Sequence, residues 1–279
     1  MKPILHFAHA NSYPAGTYRQ LFEQLDKDFD VQALDMHAHN PAYPVQDGWQ
    51  KLVDELVAEL TARYRGEPVI LVGHSLGGML SLMAAAQRPE LARCVVLLDS
   101  PVLAGWRAFA WRLVKRFSAE DRYSPSRLSM RRRNVWPGEA DALRHFASKE
   151  LFAAWAPGVL QDYLHAGLAP HPEGVQLRFS REAETAVYRT LPHHIGHLVA
   201  GEFPVPVGYL AGRISIENRQ AGLTATKALV GRNFRLMPGG HLFPMEFPVL
   251  TAQAVRDMVC DLIGGELALC ETAQRLQTA

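Results

Sequence analysis

The sequence is poor in cysteine: 279 residues hold three, Cys94, Cys260 and Cys270, widely spaced and without a C-x-x-C pair. That argues against a disulfide framework or a cysteine zinc site and fits free thiols in a reducing cytoplasm. An excess of charge is also lacking, with 29 Lys and Arg against 28 Asp and Glu and a net charge of +1. No broad cationic field is available to nucleic acid, so no nucleic-acid partner is expected. Nor does any apolar run approach the roughly 20 residues of a membrane span, and no membrane partner is expected. The opening Met1-Lys2-Pro3-Ile4-Leu5-His6 has one lysine and a short apolar stretch cut by His6. It reads as the start of a strand, not a signal peptide. Repeats and low-complexity linkers are absent. What is present is an ordinary globular composition, 48% hydrophobic and 20% charged, at a length that suits one large domain or a domain carrying an insertion.

Short apolar runs at 4–8, 31–34, 69–72 and 95–98 show no alternation, as expected for strands buried on both faces of a parallel sheet. Helical periodicity fills 18–25, 49–64 and 76–87. In the second of these, Leu52, Val53, Leu56, Val57 and Leu60 face inward and Glu55 and Glu59 point away. The pattern returns late, with strands at 205–210 and 234–237 and helices at 223–230 and 249–263. These features define an α/β fold with a doubly wound, mostly parallel sheet. The middle differs. Residues 101–200 hold Trp106, Trp111, Trp136 and Trp155, four of the five tryptophans, with helical stretches at 106–117 and 140–155 and almost no strand-like runs. The expected organisation is a discontinuous core, 1–100 and 201–279, interrupted by a helical cap at 101–200.

Chemistry concentrates at Gly73-His74-Ser75-Leu76-Gly77, between an apolar strand and a helix. A G-x-S-x-G in that setting is a nucleophile elbow. The serine occupies a strained turn, and the flanking glycines remove Cβ atoms that would clash. The Leu76 backbone N–H, at the helix start, points where negative charge would develop on a substrate. A serine hydroxyl needs a base. Of 12 histidines, His241 stands out, following a strand in Gly239-Gly240-His241-Leu242-Phe243-Pro244-Met245-Glu246-Phe247-Pro248.

These two segments resemble the α/β-hydrolase superfamily, whose catalytic histidine often sits in a G-G-H-x-x-x-x-E-x-P loop after the last strand. The resemblance covers about 180 residues on both sides of the insertion. It implies a Ser75–His241 pair and a third, acidic member in a G-x-x-D loop, where this sequence has Gly212-Arg213-Ile214-Ser215. Ser215 replaces the acid. Asp99, at the end of the strand after the elbow, occupies an alternative acid position of the family and is favoured. Glu217 is the alternative acid, and a dyad or a water-held histidine is the remaining option. His9-Ala10-Asn11-Ser12 resembles the family's H-G-x-P loop, which implies that the Asn11 N–H joins that of Leu76 in an oxyanion hole, with Ala10 as the neighbouring alternative. His9 reads as a loop anchor. The segment 35–39 looks like the family's D-x-x-G-x-G loop, so His37 and His39 are not expected to bind metal. His193, His194 and His197 read as a polar stretch at the pocket mouth, and Arg131-Arg132-Arg133 as a solvated helix face.

The resemblance implies a serine hydrolase that cleaves a carboxylic ester or thioester through an acyl-enzyme on Ser75, with neither cofactor nor metal. Its partner is a small-molecule acyl substrate, its setting the cytoplasm, its state a monomer or homodimer. Two other readings stay open: a lyase or cofactor-free haloperoxidase on the same Ser–His pair, and a non-catalytic ligand-binding relative.

Overall fold

In the computed structural model, which describes residues 2–264, the short apolar runs pair edge to edge. In chain order the strands are β1 (Ile4–Ala8), β2 (Asp30–Ala33), β3 (Val69–His74), β4 (Ala92–Leu98), β5 (Val135–Trp136), β6 (Leu168–His171), β7 (Gly174–Leu177), β8 (Val207–Gly212) and β9 (Phe234–Met237). Six of them form one sheet in the order β2-β1-β3-β4-β8-β9, with every neighbouring pair parallel.

Side chains alternate along each central strand, so both faces must be covered. Ile70 and Val72 of β3 enter one apolar cluster with Leu21 and Leu25 of α1 (Arg19–Leu25) and Val255 and Met258 of the helix Pro248–Ile263. Val69 and Leu71 enter the other, with Leu52 and Leu56 of α2 (Gln50–Tyr64) and Leu80 of α3 (Leu76–Gln87). The fold is thus α/β and doubly wound. Glu55 departs from the expected outward orientation: it is buried on α2 beside the Ala38–Asn40 stretch, and burial lifts its carboxyl to about 7 against hydrogen bonds from Asn40 and Ala38.

The stretch between β4 and β8 is not purely helical. Besides α4 (Gly105–Arg116) and several shorter helices it contains an antiparallel sheet, β5-β7-β6. Those strands are two to four residues long, and β6 includes Pro170 and His171. Neither apolar alternation nor a β-branched run marks them. The stretch at 140–155 also divides, into Glu139–Ala147 and Glu150–Ala153. The break falls where the Ser148 hydroxyl donates back to the His145 carbonyl. Trp136, Phe146, Trp155 and Tyr163 of this stretch lie in the same cluster as Leu5, Phe7 and Ile70 of the sheet.

Among the described residues no helix is long and apolar enough to cross a membrane. Of the cysteines, Cys94 is buried in β4, Cys260 is partly buried in the helix Pro248–Ile263, and Cys270 lies outside the described residues.

Candidate active site

β1, β3, β4, β8 and β9 run parallel, so the loops that leave their carboxyl ends gather along one edge. β1 and β3 flank the point where strand order reverses, the place where ligands enter open α/β sheets. Ser75 stands there, between β3 and α3, at φ 52° and ψ −114°. That strained conformation is held by close packing. A Cβ at Gly77 would overlap the Ala8 carbonyl of β1, and one at Gly73 would overlap the backbone of Gly77 and Gly78. The first turn of α3 is therefore seated directly against the end of β1.

His241 Nε2 lies 3.0 Å from Ser75 Oγ, and His241 Nδ1 lies 2.7 Å from Asp99 Oδ2. Asp99 follows β4 with φ 44° and is fully buried. Its carboxylate has a full set of donors: Oδ1 accepts from the Gly212 N–H at 2.7 Å and Asn218 Nδ2 at 2.6 Å, and Oδ2 also accepts from Ser215 Oγ at 2.6 Å. These donors replace the hydrogen bonds that water would make to an exposed carboxylate. Glu217 is close but placed otherwise. Its Oε2 lies 3.8 Å from His241 Nδ1, and its side chain is 46% exposed. Ser215, standing where the resemblance led one to expect an acid, caps the helix Ile216–Ala221 by accepting from the Asn218 N–H at 3.1 Å. Its hydroxyl has one hydrogen, and Asp99 at 2.6 Å is a nearer acceptor than Glu217 at 3.3 Å.

Burial opposes charge on His241, but the hydrogen bond to Asp99 and the charges of Glu217 and Asp99 outweigh it and raise the imidazole above its ordinary 6.5. The motif glutamate also has a physical role: Glu246 accepts from the Gly240 N–H at 3.3 Å, bracing the turn at Gly239, whose φ is +88°.

Asn11 follows β1. Its side chain donates to the Glu184 carbonyl at 3.2 Å, and the Tyr13 N–H closes the turn onto the Ala10 carbonyl at 3.2 Å. The Ala10 N–H is committed, donating to Tyr18 Oη at 3.1 Å. Tyr18 then donates to His74 Nδ1 at 2.7 Å, and His74 Nε2–H donates to the His241 carbonyl at 2.9 Å. This chain fixes the His74 tautomer, and burial drives its pKa well below the ordinary value, with the nearby His241 adding to the effect. Tyr18 and Asn218 were missed in sequence because each acts across a large chain separation. His74 sat within the quoted motif with no partner visible.

His9 is an anchor: Nδ1 bonds the Ala10 carbonyl at 2.8 Å, and Nε2 accepts from the His37 N–H at 2.7 Å. His39 bonds the His37 carbonyl and the Ser180 N–H at 2.9 and 3.1 Å. Among the described residues, the His, Cys, Asp and Glu groups close enough to share a cation are Asp99, Glu217 and His241, of which His241 Nδ1 is already bonded to Asp99. His193 and His197 line a groove of about 340 Å³ beside α4 whose lining includes none of Ser75, His241 or Asp99. Of the arginine run, Arg131 and Arg133 are exposed, while Arg132 turns inward, 2.7 Å from Glu184.

The sequence profile of the alpha/beta hydrolase family matches residues 7–254, and the chain belongs to that family. Its curated relatives include 2-(acetamidomethylene)succinate hydrolase of Mesorhizobium japonicum, 31% identical over 99 residues, 35% of this chain and 35% of that one. Another is monoglyceride lipase of Rattus norvegicus, 30% identical over 110 residues, 37% of this chain and 36% of that one. The matches span about a third of the length of these relatives. The crystal structure of E-2-(acetamidomethylene)succinate hydrolase superposes with a TM-score of 0.74 at 20% identity, covering 93% of this chain and 92% of that one, a likeness of fold.

Proposed function

We propose that the chain is a cofactor-free serine hydrolase acting on a carboxylic ester or thioester. The observation that carries this reading is the unbroken relay from Ser75 Oγ through His241 to Asp99, at 3.0 and 2.7 Å. Ser75 attacks the acyl carbonyl while its proton passes to His241 Nε2. The Leu76 and Asn11 N–H groups hold the oxyanion; His241 returns the proton to the departing alcohol or thiol. A water, deprotonated by His241, then attacks the acyl-enzyme and frees the acid and Ser75. Asp99 is the acid of this scheme. It accepts the Nδ1 hydrogen, sets the tautomer and stabilises the imidazolium. Glu217, more distant and half in solvent, adds charge to the surroundings and is not needed for orientation. Residues 101–200 act as the cap over the sheet edge.

Fluorophosphonate labelling followed by peptide mapping tests the nucleophile. The expected result is one adduct, on Ser75, absent from Ser75→Ala and greatly slowed in His241→Ala. A wild-type protein that takes no label and turns over neither p-nitrophenyl acetate nor butyrate would be a binding relative instead.

A further inference from the structure

α4 carries its largest apolar residues on the side away from the protein. The face that packs inward holds Ala108, Trp111 and the Lys115 side chain, whose ammonium meets Asp47 and the Leu191 carbonyl. The opposite face holds Trp106, Phe109, Leu113 and Phe117, spaced three, four and four apart, so that they stack as one stripe. They are 70, 53, 38 and 76% exposed. Arg112 and Arg116 border the stripe on one side and Arg107 on the other. Arg107 and Arg112 lie over the Trp106 and Phe109 rings at 4.8 and 5.1 Å. Scattered exposed apolar residues are ordinary, but a continuous apolar stripe on a helix marks an interaction surface.

The same character continues to residue 133. Tyr123 and Leu128 are 62 and 76% exposed, among exposed Arg122, Arg127, Arg131 and Arg133. From 105 to 133 the chain has nine Lys and Arg against two Asp and Glu, a net +7 in a protein whose total is +1. This charge selects the occupant. Lys115 and Arg132 turn inward onto Asp47 and Glu184, which leaves seven arginines against Glu120 and Asp121, so a second copy docked by the same face would set +5 against +5. An anionic lipid surface complements both features, because aromatic side chains settle at the headgroup level and arginines pair with phosphate.

We propose that α4 and the segment through Arg133 form a face that docks on an anionic bilayer, with Trp106, Phe109, Leu113 and Phe117 entering the headgroup–acyl boundary. The expected absence of a membrane partner rested on the lack of a spanning run, which a helix lying in the interface does not need. The face also borders the site. The Arg107 guanidinium reaches Gly222, at the end of the helix Ile216–Ala221 that begins at Ser215, and the neighbouring Ile214 and Ile216 are exposed.

Co-sedimentation of the full chain with vesicles tests the proposal without reference to turnover. The protein is expected to pellet with phosphatidylcholine–phosphatidylglycerol vesicles, to stay soluble with phosphatidylcholine alone, and to be released by salt. Reversing Arg112 and Arg116 to Glu should lower partition by at least about 25-fold, taking about fivefold per cationic group. The triple variant Trp106→Ser, Phe109→Ser, Phe117→Ser should lower it at least about tenfold. Both variants should keep the wild-type melting midpoint and any turnover of a soluble p-nitrophenyl ester. Equal binding to neutral vesicles, no binding to anionic ones, or unchanged binding by the serine variant overturns the proposal. So does a wild-type dimer, seen by sedimentation velocity, that the serine substitutions split while vesicles recruit nothing.

Discussion

His241 is the residue on which pH dependence turns. As the proposed base it can act only when neutral, and its surroundings raise its pKa above 6.5. The rate kcat/KM should therefore fall with acid along a limb centred above that value, since raising the pKa of a base moves its loss to higher pH. Glu217 contributes to the rise through its charge, so Glu217→Gln should move the limb toward lower pH; a limb that stays in place, measured on the free enzyme, contradicts this. Ser75 and His241 were legible in sequence because each sits in a local motif whose spacing follows from backbone sterics. Asp99 was legible only through the loss at Ser215. The donors that hold Asp99, from Gly212, Ser215 and Asn218, lie more than 100 residues away, where no local pattern reaches.

At the level of elements, the site depends on β1, β3 and α3 being locked together at their ends. Gly77→Ala would drive a methyl into the Ala8 carbonyl. It should cost more than about 3 kcal/mol and give insoluble or unlabelled protein, read as loss of the soluble fraction and of fluorophosphonate reactivity. Tyr18→Phe is gentler. It leaves the buried Ala10 N–H and His74 Nδ1 without their present partner, a loss of about 1–3 kcal/mol. Each kcal/mol is about 2–4 °C at this size, so the melting midpoint should drop by several degrees; an unchanged midpoint would mean the hydroxyl holds nothing. The inner strands β1, β3, β4 and β8 were legible because burial on both faces demands continuous apolar runs, whereas the edge strands β2 and β9 are only partly buried. β5, β6 and β7 were not, being short and partly polar.

Across the whole molecule, Trp136, Phe146, Phe152, Trp155 and Tyr163, between β4 and β8, share an apolar cluster with β1 and β3. Residues 2–264 should accordingly unfold as one cooperative unit, with calorimetric and van't Hoff enthalpies in agreement; two resolved transitions would contradict this. The same topology brings β3, β4 and the loop after β9 to one edge, placing Ser75, Asp99 and His241 within hydrogen-bond reach. That the acid comes from the end of β4 is the central claim, and kcat on p-nitrophenyl acetate for Asp99→Asn beside Glu217→Gln tests it most directly. Asp99→Asn should lower kcat on the order of 10⁴-fold, as does loss of a triad acid, and Glu217→Gln should leave it within about tenfold. Collapse in Glu217→Gln with near-normal turnover in Asp99→Asn would contradict the assignment.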